Sequence, residues 1–85
     1  MSNWVVYILE CNDKSLYTGI TNNLARRIAQ HQQGLGAKYT KGRGPFEIKY
    51  TELCESKSFA LKRECEIKKL SREQKLDLCS RLIDA

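Results

Sequence analysis

Trp4-Val5-Val6-Tyr7-Ile8-Leu9, a polar stretch from Glu10 to Ser15, and then Leu16-Tyr17-Thr18-Gly19-Ile20: residues 4–20 decide the fold. Two runs rich in β-branched and aromatic side chains, parted by a polar turn, predict a hairpin with a six-residue loop. Gly19 is out of place in that second strand. A glycine inside a strand weakens it, so it points to a bulge or to a close backbone approach.

Working outward, Thr21-Asn22-Asn23 supplies N-cap side chains ahead of Leu24, Ile28 and Gln32, which stand at i, i+4 and i+8. Gly34 is a natural stop, so a helix is predicted over about residues 23–33. Arg27 and His31, four apart, share a face of it. Residues 34–45 hold four of the five glycines, the only proline and the bases Lys38, Lys41 and Arg43, which predicts a mobile basic loop. Phe46, Ile48 and Tyr50 alternate with Glu47, Lys49 and Thr51, giving a third strand over about 46–53 with one buried face.

Ser56 or Ser58 can cap a helix over about 57–69, whose apolar positions include Ala60, Leu61, Ile67 and Leu70. Glu64 borders that stripe, at i+4 from Ala60 and i−3 from Ile67. Ser71-Arg72-Glu73-Gln74 fits a capping box, and Leu76, Cys79 and Ile83, with Leu78 and Leu82, supply the apolar face of a last helix. The order is ββαβαα: a small three-stranded antiparallel sheet flanked by helices, α+β in class. At 85 residues the chain has room for one domain, 1–85, with a thin core.

The formal net charge is +5. It comes from residues 17–50, where Arg26, Arg27, Lys38, Lys41, Arg43 and Lys49 face a single acid, Glu47. A concentrated basic stretch suits an anionic partner, nucleic acid first; a basic surface kept for solubility is the alternative. No apolar run approaches the roughly 20 residues of a membrane span, and no signal peptide is visible. Cys11, Cys54, Cys65 and Cys79 form no Cys-x-x-Cys, and His31 is the only histidine, so no zinc cluster is expected. The thiols are expected to be reduced and mostly buried, in a cytoplasmic protein. There is no Walker loop and no Gly-x-Gly-x-x-Gly.

What remains is a set of polar groups in apolar settings, each with an ordinary structural explanation. Tyr7 and Tyr17 can be strand tyrosines with surface hydroxyls, and Arg26 and Arg27 a solvated helix face. His31 can be a plain surface residue, and Glu64 can turn outward to pair with Lys68.

Taken together they carry more. Val5-Val6-Tyr7 followed after nine residues by Tyr17-Thr18-Gly19 resembles the paired signature of the GIY-YIG nuclease family. Arg27, ten residues after Tyr17, then His31, then Ala60-x-x-x-Glu64 continue the match. The run from Tyr17 to Arg27 is close to that of the small stand-alone YhbQ-like members, the UPF0213 type. The resemblance spans about residues 4–76. Val5 stands where the family name has glycine, and Thr18 replaces isoleucine. Many larger relatives also have an asparagine twelve to fifteen residues after the metal glutamate, and Leu76 to Cys79 contains none.

The resemblance implies Mg²⁺- or Mn²⁺-assisted hydrolysis of phosphodiester bonds in DNA, selected by structure rather than sequence, in DNA repair or processing. RNA stays open as a substrate, and a partner protein could supply specificity. Glu64 matches the metal ligand, and Arg27 the arginine on the scissile phosphate. Tyr7 and Tyr17 match the tyrosines that orient the attacking water or relay its proton, with His31 assisting. Gly19 would leave room for phosphate or metal. Arg26, Lys38, Lys41 and Arg43 could hold further phosphates, and Tyr39 could stack a base. Two alternatives stand beside this: a nucleic-acid-binding module on the same scaffold that does not cut, and an interaction protein whose basic loop docks an acidic partner.

Overall fold

The computed structural model describes residues 3–83, with side chains to Arg81. The hairpin forms as β1 (Val5–Glu10) and β2 (Leu16–Thr21), followed by α1 (Leu24–Gln32), β3 (Glu47–Leu53), α2 (Lys57–Lys68) and α3 (Arg72–Ile83). The strands make one antiparallel sheet ordered β2-β1-β3. The central strand must therefore be apolar on both faces, and Val6, Tyr7, Ile8 and Leu9 are all fully buried. The ββαβαα α+β architecture is the expected one.

Val6 and Ile8 point to one face, where they meet Cys54, Ala60, Ile67, Leu78 and Cys79 beneath α2 and α3. This is the apolar core. Tyr7, with its cross-strand partner Gly19, lies on the opposite face toward α1. One strand thus serves two interiors through its two-residue side-chain period.

The helix ends follow the sequence signals. The Asn23 side chain accepts from the Arg26 amide and Ser56 Oγ from the Phe59 amide. The capping box closes reciprocally: Gln74 N–H donates to Ser71 Oγ (3.1 Å) and Ser71 N–H to Gln74 Oε1 (2.9 Å). Such caps satisfy helix-end amides that have no intrahelical partner.

Three expectations change. The alternation Phe46/Ile48/Tyr50 does not bury one face of β3. Ile48 pairs with Leu9 and Tyr50 with Ile8, so the irregularity between them leaves Lys49 as the extra residue of a β-bulge. Tyr50 consequently packs on the apolar core while Ile48 is exposed on the other face. Leu61 and Leu76 are also exposed, because α2 and α3 each press only a narrow stripe on the sheet. The side chains of Leu82 and Ile83 lie outside the described residues. Finally, the glycine-rich basic loop has its own anchor. Thr40 is fully buried and makes two hydrogen bonds to Ala37, closing a turn within the loop.

All four cysteines are free; Cys11, Cys54 and Cys79 are buried and Cys65 is exposed. Among the described residues no helix is long and apolar enough to cross a membrane.

Candidate active site

Of the polar groups singled out in the sequence, Tyr7, Tyr17 and His31 meet on the α1 face of the sheet, with Arg27 at the Tyr7 hydroxyl. Tyr7 projects from the centre of β1, and α1 carries His31 over it. The Tyr7 hydroxyl lies 2.9 Å from His31 Nε2, and both residues are buried. On the far side of the imidazole, His31 Nδ1 lies 2.8 Å from Thr40 Oγ1.

The direction of the Thr40 hydroxyl sets which nitrogen carries the proton. When Thr40 Oγ1 donates its one hydrogen to the Ala37 carbonyl (3.0 Å), it can only accept toward His31. His31 Nδ1 is then the protonated nitrogen, and Nε2 is free to accept the Tyr7 O–H. The result is a one-way chain: Tyr7 to His31 to Thr40 to the loop backbone. Burial, with Arg27 nearby, holds the His31 pKa below its ordinary value, which keeps the ring neutral and basic at Nε2.

Tyr7 is perturbed in the opposite direction. Burial pushes its hydroxyl pKa up, contact with the Arg27 guanidinium draws it down, and Tyr17 and Glu64 add to the rise. Arg27 is thus at the Tyr7 hydroxyl, while Tyr17 and Glu64 act on it through their charge. Arg27 is half-buried and is steadied by the Gln30 side chain, to which its Nη1 donates at 3.1 Å. Glu64, on α2, is mostly covered, and its carboxylate meets Lys68 Nζ at 3.5 Å.

Gly19 is required by the tyrosines themselves. A Cβ there would stand 2.6 Å from Tyr7 Oη and 3.0 Å from Tyr17 Cε2. The crowding anticipated from phosphate or metal is therefore already present without either. Gly36 is constrained likewise, since a Cβ would run into the His31 ring.

The rings form one cluster. Tyr17 sits with its centroid 6.4 Å from Tyr7 and 5.4 Å from His31, and Phe46 packs edge-on to His31 at 5.9 Å. Tyr17 is half-buried and stacks on the exposed Tyr39 (5.9 Å, 22° between planes). Arg43 lies over the Tyr39 ring at 4.4 Å and pairs with Asp13, so it braces Tyr39. Lys38 and Lys41 are exposed on the same loop, and Arg26 is exposed on α1.

Thr40 and Phe46 escaped the sequence reading. A threonine nine residues beyond a histidine in a loop carries no spacing signal, and Phe46 read as strand. The donor set fits a hard, hydrated cation. Among the described residues no three His, Cys, Asp or Glu side chains cluster, so Glu64 would be the lone protein ligand. Mg²⁺ keeps several waters and commonly takes only one or two carboxylates, and the carboxylate already attracts a cation in Lys68.

The family model described as the GIY-YIG catalytic domain matches residues 3–77. A UPF0213 protein of Clostridium perfringens is 60% identical over 75 residues, covering 88% of this chain and 81% of its own length. One from Staphylococcus haemolyticus is 54% identical over 78 residues, covering 92% and 95%. Among solved structures, the solution NMR structure of a UPF0213 protein from Bacillus halodurans is 52% identical and superimposes with a TM-score of 0.59 over 91% of this chain and 82% of that one. The solution NMR structure of an E. faecalis protein gives 37% identity and a TM-score of 0.66, covering 100% and 94%.

Proposed function

The chain belongs to the GIY-YIG family, and from that membership we propose that it is a divalent-metal-dependent endonuclease hydrolysing phosphodiester bonds in DNA, selective for structure rather than sequence. A role in DNA repair or processing in the cytoplasm follows from that substrate, with a partner protein able to add specificity. The observation that carries the reading is the buried Tyr7–His31–Thr40 chain with Arg27 at its open end.

Arg27 grips the scissile phosphate. Its fork-shaped guanidinium can hold two oxygens and offset the charge that builds at phosphorus as water attacks. Tyr17, half-buried, faces the substrate and orients the water. Tyr7 takes up the proton that water loses and passes its own to His31 Nε2 in the same motion. The high Tyr7 pKa makes a standing phenolate unfavourable, and the neutral His31 removes the need for one. The new P–O bond forms as the old one breaks, the leaving oxygen takes a proton from solvent, and His31 returns its proton to Tyr7 as Tyr7 releases the one it took from water back to solvent. Glu64 would hold Mg²⁺ or Mn²⁺, which when bound supplies Lewis-acid polarisation of the phosphoryl oxygen and acidifies water. Arg26, Lys38 and Lys41 add phosphate contacts, and Tyr39 offers a stacking edge.

The test is cleavage of end-labelled DNA with Mg²⁺ or Mn²⁺. Wild type should nick it, and Glu64→Ala and Arg27→Ala should each lose at least about 100-fold while keeping their circular dichroism. Cutting that persists in pure Glu64→Ala protein would overturn the site. The missing asparagine in Leu76 to Cys79 favours one second reading, binding without cutting. DNA affinity with no cleavage in either metal would establish it.

A further inference from the structure

β2 is an edge strand, and a cavity opens at each of its ends. At its C-terminal end a cavity of about 260 Å³ is lined in part by Asn22, Arg26 and Arg27. At its N-terminal end one of about 310 Å³ is lined by Leu16, Tyr17, Thr18, Tyr39, Lys68 and Lys75. Neither is lined by an aspartate or glutamate. Two further cavities, beside β3 and beside the β1–β2 turn, carry Glu52, Glu55 and Glu66, and Glu10 and Glu47 respectively. Of these four cavities, the two lined by bases and by no acid lie at the ends of β2, the strand that also carries Tyr17 and Gly19.

Lys75 is the new element. It sits half-buried on α3, outside the basic middle of the sequence, and has no ion-pair partner among the described residues. Lys68 shares its cavity and reaches the candidate centre, being paired with Glu64. Two ammonium groups facing a stacked tyrosine pair suit a phosphate with its attached nucleoside.

Resting on the nuclease reading, we infer that the β2 edge is a track for one nucleic-acid strand, with Arg26 and Arg27 holding backbone at one end and Lys68 and Lys75 gripping a flanking phosphate at the other. Six residues of strand separate the ends by about 17 Å, longer than a single nucleotide. The Lys75 contact lies beyond the reacting centre and carries no base information, so it fixes register and affinity. When a substrate phosphate takes Lys68, its ammonium leaves Glu64, which frees that carboxylate.

The experiment is fluorescence anisotropy of a labelled oligonucleotide in EDTA, titrated at several salt concentrations. Lys75→Gln should weaken binding several-fold and lower the slope of log K against log salt by about one; Lys75→Glu should weaken it further. Lys62→Ala, on the face of α2 beside β3, is the control and should change neither. Unchanged affinity and slope in both Lys75 variants, while Arg26→Ala weakens binding, would overturn the track and leave the nuclease reading intact. A Lys75 effect in a protein that never cleaves would support the track and end the nuclease reading.

Discussion

The two faces of the sheet are made by alternate residues of the same strand, yet they are built to opposite rules. Beneath α2 and α3, Val6 and Ile8 pack in a cluster of mostly apolar side chains, with Thr18 as a buried polar neighbour of Ile8. Beneath α1, Tyr7 is just as buried, but its packing runs through hydrogen bonds to His31 and onward to Thr40. The first interior is tolerant in chemistry and strict in volume. The second is strict in both. Under the proposed function, the difference gives stability to one face and reactivity to the other.

The largest effect should come from exchanging the two requirements. Tyr7→Phe keeps the ring and removes the hydroxyl, so cleavage should fall about 100- to 10,000-fold while the chain still folds. Ile8→Ala should do the reverse, costing about 2–5 kcal/mol in urea unfolding while each folded molecule keeps its rate. If Tyr7→Phe unfolds the protein and Ile8→Ala silences it, the division between faces is wrong.

Gly19→Ala should cost stability and rate at once. Its Cβ would press on Tyr7 Oη, so an overpacking cost of about 1–3 kcal/mol should accompany a loss of rate approaching 100-fold.

pH sharpens the contrast, because only the α1 face holds a buried base. The folded His31 pKa is depressed, so the neutral ring is the stable form inside. Between the ordinary value near 6.5 and the lower folded value, the unfolded chain binds more protons than the folded one. Stability should therefore be complete above about pH 6.5 and decline as pH falls through that window. The acid limb of kcat/KM should likewise lie below about 6.5. Urea midpoints from pH 5 to 8 should show the decline in wild type and lose it in His31→Gln.

The smallest effect is on the apolar side. Thr18 pairs with Ile8 in the sheet, and its Oγ1 is buried without a hydrogen-bond partner. Thr18→Val should raise stability by about 1 kcal/mol, read as a higher urea midpoint. A fall instead would mean that this face also depends on a polar contact.

Much of this was legible in the sequence because the signals were local. Hairpin, caps and helix order come from residues a few positions apart, and Ser71 with Gln74 is the clearest case. Tyr7, Arg27, His31 and Glu64 could be named because they recur at family spacings, and Glu64 also borders an apolar stripe. The bulge at Lys49 was not legible, since strict alternation in 46–50 looks the same whether or not one residue is skipped. Thr40 was invisible for another reason: it acts through a histidine in a different element, and only the folded loop places them together. Lys75 was hidden by the balanced charge of the segment around it.

The bulge between β1 and β3 has one more meaning. Because it admits only one alignment, it removes the slipped pairings in which Tyr7 would turn into the apolar core and Ile8 toward His31. On the nuclease reading proposed above, cleavage would belong to a single register, and a misaligned chain would be inert rather than promiscuous. Folding error in such an enzyme would cause silence and not damage.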